Sequence, residues 1–152
     1  MEKIRTIMVG YDMSEYAGEA LKYAVRLAEN TGAELVVVNV INQRDVDAVQ
    51  LVAMEAGSVS VPEWIDKQEK IRSEAMDRII EAAEPGKVRI RRIFRVGVPF
   101  MALVQAILDE GADLMVMGTR GRSNLAGAIF GTTAEKMFRK CPVPLLSVRK
   151  PS

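Results

Sequence analysis

The chain has 152 residues, 49% of them apolar and 27% charged, the make-up of one folded domain rather than of a disordered chain or a two-domain protein. Its 21 basic and 20 acidic residues leave a net charge of +1, so no bulk charge draws it to nucleic acid or to an anionic membrane. Histidine is absent and cysteine occurs once, at Cys141, which removes Ser-His-Asp triads, Cys-His dyads, His-ligated zinc and any intrachain disulfide.

Thr6-Ile7-Met8-Val9, ending at Gly10, predicts a short buried strand. That run is too short for a signal-peptide core. No apolar stretch reaches the roughly 18 residues of a membrane helix. The expectation is a soluble, cytoplasmic protein with neither membrane nor nucleic acid as partner. Ser14 suits a helix N-cap, and Ala17, Leu21, Ala24, Val25 and Ala28 recur at helical spacing up to a C-terminal cap at Gly32. Residues 34–41 predict a second strand, whose unbroken Leu35-Val36-Val37-Val38 suggests cover on both faces.

Residues 43–61 have mixed polarity and predict an insertion or a mobile loop, with a short helical piece around 46–55. Pro62 opens a helix that carries Ile65, Ile71, Met76, Ile79, Ile80 and Ala83 and stops at Pro85-Gly86. Residues 88–96 predict a third strand. Arg89, Arg91, Arg92 and Arg95 interrupt its alternation and mark it as an edge strand with solvated arginines. Pro99 opens a helix with Leu103, Val104, Ile107 and Leu108 inward, closed by Gly111. Residues 114–117 predict a fourth strand, followed by a long loop to Gly131, a short helix over 134–140 and a last strand over 145–148.

Strands alternating with helices predict an α/β fold with a mostly parallel sheet and helices on both faces. Ligands of such sheets bind beyond the carboxyl ends of the strands, where strand order reverses. The most informative of those segments runs from Gly118 to Thr133. It contains Arg120 and Arg122, and no carboxylate occurs between Asp113 and Glu135. Glycines at 118, 121 and 131 allow close backbone approach. The N–H groups of Thr132, Thr133 and Ala134 stand at the positive end of a helix dipole. These are the parts of a phosphate cradle; the plainer reading is a surface loop whose glycines serve its turns. Neither G-x-x-x-x-G-K-[ST] nor G-x-G-x-x-G occurs, which excludes an ordinary P-loop or dinucleotide-binding unit.

Gly118-x2-Gly121-x9-Gly131-Thr132 resembles the G-2x-G-9x-G-[ST] pattern of the ATP-binding universal stress proteins. Val9-Gly10-Tyr11-Asp12-Met13-Ser14, Val38-Asn39-Val40-Ile41, Val96-Gly97-Val98-Pro99 and the ending Cys141-Pro142-Val143-Pro144-Leu145-Leu146-Ser147-Val148 are similar to that family too. The resemblance covers nearly the whole chain apart from about 43–61. It implies one domain over 1–152, with a three-layer α/β fold of the adenine nucleotide alpha hydrolase-like, Rossmann-like kind. Its five parallel strands would run in the order 3-2-1-4-5.

The resemblance further implies that Gly10 and Asp12 line the adenosine end and that Val40 meets adenine. Asp12 would bond ribose or help hold a metal ion; its plainer role is to start the following helix. Gly118, Thr119, Arg120, Gly121, Arg122 and Ser123 would wrap ribose and phosphates. Gly131, Thr132 and Thr133 would hold the phosphates. ATP is the implied nucleotide, with ADP or AMP as alternatives, together with Mg²⁺ or Mn²⁺. The implied assembly is a homodimer through residues 145–148, acting on a downstream protein that the sequence does not name. Ala134 departs from the family pattern, which often has a hydroxyl there. The implied function is a nucleotide-dependent stress-response regulator rather than an enzyme. The competing readings are a slow ATPase or autophosphorylating enzyme, with Ser123, Thr132 or Thr133 as acceptor, and a dimeric module that binds AMP or another anion. The methionines and Cys141 read as packing residues.

Overall fold

The computed structural model describes residues 3–120 and 131–150. The described elements are, in chain order, β1 (Thr6–Gly10), α1 (Glu15–Thr31), β2 (Glu34–Asn42), α2 (Gln43–Ala56), α3 (Val61–Ala82), β3 (Ile90–Gly97), α4 (Pro99–Glu110), β4 (Leu114–Gly118), α5 (Thr132–Lys140) and β5 (Leu145–Val148). The strands form one parallel sheet in the order β3-β2-β1-β4-β5, as the sequence led us to expect.

Strand composition explains the three layers. Successive strand residues point to opposite faces, and in the central strands both sets are apolar. Ile7, Val9, Leu35, Val37 and Val116 pack with Leu21, Ala24 and Val25 of α1 and Met76 of α3. Met8, Val36, Val38, Met115 and Met117 pack on the other side with Leu103, Ala106 and Ile107 of α4 and Met137 of α5. A sheet apolar on both faces leaves water only when helices cover both. The helix ends follow local chemistry. Ser14 Oγ accepts from the Ala17 N–H at 3.1 Å and starts α1, and Gly32, at φ 72°, ends it in the left-handed conformation. No helix among the described residues is long and apolar enough to cross a membrane.

Two expectations need correction. Within residues 43–61, read as an insertion or mobile loop with a short helical piece around 46–55, the helix is longer than that piece: Gln43–Ala56 form the 14-residue α2. Asn42 caps it, its side chain accepting from the Arg44 N–H at 3.0 Å, and Gly57 closes it at φ 64°. Only Val46 of α2 is buried, while Leu51, Val52 and Met54 stay exposed. A helix with so little buried face writes no apolar stripe into its sequence. The arginines of β3 are also more than solvated. Arg91 pairs with Glu34 on the neighbouring strand and with Glu110 of α4 at 2.9 Å, Arg95 reaches Glu110 at 3.5 Å, and Arg92 pairs with Asp77 of α3. The edge strand is thereby tied to both helical layers.

Candidate functional site

The carboxyl ends of β1, β2 and β4 open onto a cleft of about 580 Å³. Its position follows from the pairing. Met8 lies opposite Val36 on one side and Met115 on the other, so strand order reverses beside β1 and the chains leaving β1 and β4 diverge around a crevice. Asp12 and Gly118, far apart in sequence, both line it.

One wall is built from the ends of β1 and β2. The Tyr11 N–H donates to the Val38 carbonyl at 2.9 Å, which extends the strand pairing by a residue. Asp12 Oδ1 accepts from the Ser14 N–H at 3.0 Å, and Met13 between them adopts φ 70°. That left-handed conformation costs a side-chain-bearing residue about 1–2 kcal/mol. The Asp12 bond on one side and the Ser14 cap on the other hold it in place. The Tyr11 phenol is buried; burial raises its pKa, the nearby Asp12 carboxylate raises it further, and Arg78 opposes both. Asn39 Nδ2 donates to the Tyr11 carbonyl at 2.8 Å, and Arg72 Nη1 donates to Asn39 Oδ1 at 2.9 Å and to the Val40 carbonyl at 3.3 Å.

The facing wall comes from the end of β4 and the start of α5. Gly131 is the N-cap of α5 and brings no side-chain cap bond, so no side chain of the cap meets the first-turn N–H groups. Thr132 and Thr133 belong to that first turn, two residues earlier than the helix start expected from sequence, and line the cleft with Gly131. Arg44, Arg72, Arg120 and Lys136 also line it, against the carboxylates of Asp12 and Asp45. Four cations, two carboxylates and a helix N-terminus favour an anionic ligand. No cluster of three or more His, Cys, Asp or Glu side chains that could cage a metal occurs among the described residues.

Residues 3–149 match the model of the Universal stress protein family. The chain belongs to the universal stress protein family. A universal stress protein of Thermus aquaticus is 33% identical over 95% of this chain and 98% of its own length. Universal stress protein MJ0577 of Methanocaldococcus jannaschii is 26% identical over 96% and 95%, and its solved structure superposes with a TM-score of 0.79 over 99% of each chain. A universal stress protein solved in complex with cAMP is 26% identical, with a TM-score of 0.65 over 97% of this chain and 98% of that one.

In this universal stress protein, Gly10, Asp12, Val40, Gly118, Arg120, Gly131, Thr132 and Thr133 all line the cleft. Gly121, Arg122 and Ser123 lie outside the described residues. Thr119 is not among the lining residues. It is buried, its N–H donates to the Val148 carbonyl at 3.1 Å, and its carbonyl accepts from the Gly131 N–H at 3.0 Å. Its backbone thus joins β5 and the start of α5 to the end of β4.

Gly118 has a second reason to be glycine. A Cβ there would stand 2.7 Å from Tyr16 Cβ and 2.9 Å from the Tyr16 carbonyl carbon and oxygen, so its bareness lets α1 close on β4. Ala134, in the first turn of α5, is buried against the core and also lines the cleft. Arg72 and Lys136 were not anticipated as cleft residues. For Arg72 the signal was present, since it lies four residues before the apolar Met76 and shares its helix face. Cys141 is half-buried, and burial pushes its thiol pKa up, against a bond from the Val143 backbone that lowers it. It fits a packing residue rather than a nucleophile.

Proposed function

We propose that this universal stress protein binds an adenine nucleotide in the cleft and works as a nucleotide-dependent stress-response regulator rather than as an enzyme. The observation that carries this reading is the convergence of three features on one crevice at the strand-order reversal. They are the open end of β1 and β2, the N-terminus of α5 without a side-chain cap, and the cationic lining. The relative solved with cAMP supports an adenine nucleotide as the ligand class. ATP is the nucleotide we assign, with ADP and AMP as weaker ligands. Gly10, Asp12 and Val40 receive the adenosine. Gly118, Arg120, Gly131, Thr132 and Thr133, with Gly121, Arg122 and Ser123 of the glycine motif, receive ribose and phosphates. Mg²⁺ or Mn²⁺ would be held chiefly by phosphate oxygens and water, with Asp12 the protein carboxylate assigned to help hold it. Ala134 offers no hydroxyl to a terminal phosphate, and one neutral hydrogen bond is worth about 0.5–1.5 kcal/mol. Discrimination among ATP, ADP and AMP is therefore modest.

The same reading includes a homodimer formed through β5, whose Leu145-Leu146-Ser147-Val148 edge carries no charge. It also includes residence in the reducing cytoplasm, which the free thiol of Cys141 supports. Calorimetric titration with ATP, ADP, AMP and cAMP, with and without Mg²⁺, tests the ligand. Micromolar ATP binding that disappears in Gly131→Val is the expected result. Gly131 sits at φ −70° and ψ 164°, a backbone conformation open to valine, so the variant adds side-chain bulk at a cleft-lining position without backbone strain there. Absence of heat from all four nucleotides would overturn the reading. Steady phosphate release at enzymatic rates would overturn its regulatory half. Light scattering tests the dimer against the 16.8 kDa of one chain.

A further inference from the structure

Helix α3 brings one charged side chain into the interior, and the glycine motif does not account for it. Among the described residues of α3, only Arg72 and Met76 are buried. Met76 enters the core, while Arg72, 6% exposed, lines the cleft beside Val40. Burying a guanidinium is costly unless its N–H groups are engaged. Nη1 meets both the Asn39 side-chain oxygen, at 2.9 Å, and the Val40 carbonyl, at 3.3 Å. A guanidinium only donates, so it turns the Asn39 amide with Oδ1 toward α3 and Nδ2 toward the Tyr11 carbonyl, the bond observed at 2.8 Å. Asn39 is 1% exposed; with this orientation both ends of its amide are satisfied. Arg72 therefore locks the carboxyl ends of β1 and β2 to α3 at the cleft.

We propose that Arg72 is the positioning residue for the purine base. It fixes the carbonyl of Val40, a residue of the cleft lining, as an acceptor for an exocyclic amine. A carbonyl oxygen has two lone pairs, so Val40 accepts from Arg72 and from a base amine together. Adenine carries that amine. Hypoxanthine carries a carbonyl oxygen in its place, which would face the Val40 oxygen with no proton between them. The inference rests on the nucleotide reading above and adds to it which protein groups select the base.

The test is a calorimetric comparison of the wild type, Arg72→Met and Arg72→Lys, each titrated with ATP, inosine triphosphate and tripolyphosphate in Mg²⁺, with melting temperatures measured without ligand. In the wild type ATP should bind roughly tenfold or more tighter than inosine triphosphate, the cost of exchanging an amine–carbonyl hydrogen bond for two facing oxygens. Arg72→Met should weaken ATP by a similar factor, erase the preference between the two nucleotides and leave tripolyphosphate unchanged. Arg72→Lys should restore part of the preference, because an ammonium keeps the charge without the planar fork.

A purely structural Arg72 would change all three ligands in proportion, or none, and either pattern overturns the proposal. Wild type that binds no nucleotide overturns the nucleotide reading and this inference together. Wild type that binds ATP, with Arg72→Met keeping its base preference, overturns this inference alone. If Arg72→Met does not fold, Arg72→Lys carries the comparison, and an undiminished base preference in it overturns the proposal.

Discussion

Gly118 shows how one residue serves two demands. It lies at the cleft, where the glycine motif puts it, and beneath Tyr16, where any Cβ would strike backbone at 2.9 Å. Backbone yields less readily than a flexible side chain, so Gly118→Ala should destabilise the fold by about 1–3 kcal/mol. That is a fall of several degrees in melting temperature with no nucleotide present. An alanine variant as stable as wild type would show that α1 can move away freely. Tyr11 supports a prediction about pH. Burial raises its phenol pKa above the ordinary value of 10.0, so the folded state holds the proton more tightly than the unfolded chain. The stability this lends is fully present below the unfolded pKa and is lost as pH rises through the folded one. Wild type should therefore lose more stability than Tyr11→Phe above about pH 10, measured by urea unfolding across the alkaline range. Parallel curves would contradict the direction of the shift.

At the scale of elements, α2 is the weakest. It has both caps, yet it buries only Val46, and most helical stability in proteins comes from a packed face rather than from propensity. Amide hydrogens of residues 43–56 should exchange well before those of α1, which buries Ala17, Ala20, Leu21, Ala24, Val25 and Ala28. Native-state hydrogen exchange read by mass spectrometry separates the two; equal protection would mean that α2 is held by more than its described contacts. The first turn of α2 carries Arg44 and Asp45 to the cleft, so exchange over this segment is also expected to slow when nucleotide is added. The same scarcity of burial explains why the helix was illegible in the sequence: periodicity records burial, and here there is almost none.

For the molecule as a whole, the two edges of the sheet differ in chemistry. The β5 edge is uncharged, whereas β3 carries Arg91, Arg92 and Arg95, paired to carboxylates of β2, α3 and α4. Exposed ion pairs add little to stability, so their larger effect is to bar strand addition on that side. Replacing Arg91, Arg92 and Arg95 together by valine should cost little in melting temperature. It should also produce species larger than those of the wild type in light scattering. If mass is unchanged, the β3 edge is protected by something other than its charges.

The alternation of strands with α1, α3, α4 and α5, the mostly parallel sheet and the glycine-rich segment after β4 were legible in the amino-acid sequence because each is written in neighbours, whereas the strand order and its reversal point came from the family resemblance. A run such as Leu35-Val36-Val37-Val38 reports cover on both faces wherever it stands, and Ser14 and Gly32 mark helix ends by their own local chemistry. Tertiary structure alone decided which distant residues meet. The 33 positions between Arg72 and Asn39, the closure of Tyr16 over Gly118 and the carboxylates chosen by the β3 arginines leave no trace in local spacing. A buried guanidinium and a solvated one are spelled alike, and only packing distinguishes them. The same holds for the cleft: its motif could be read along the chain, but Arg72 joins its wall at the ends of β1 and β2 only because α3 packs back on β2.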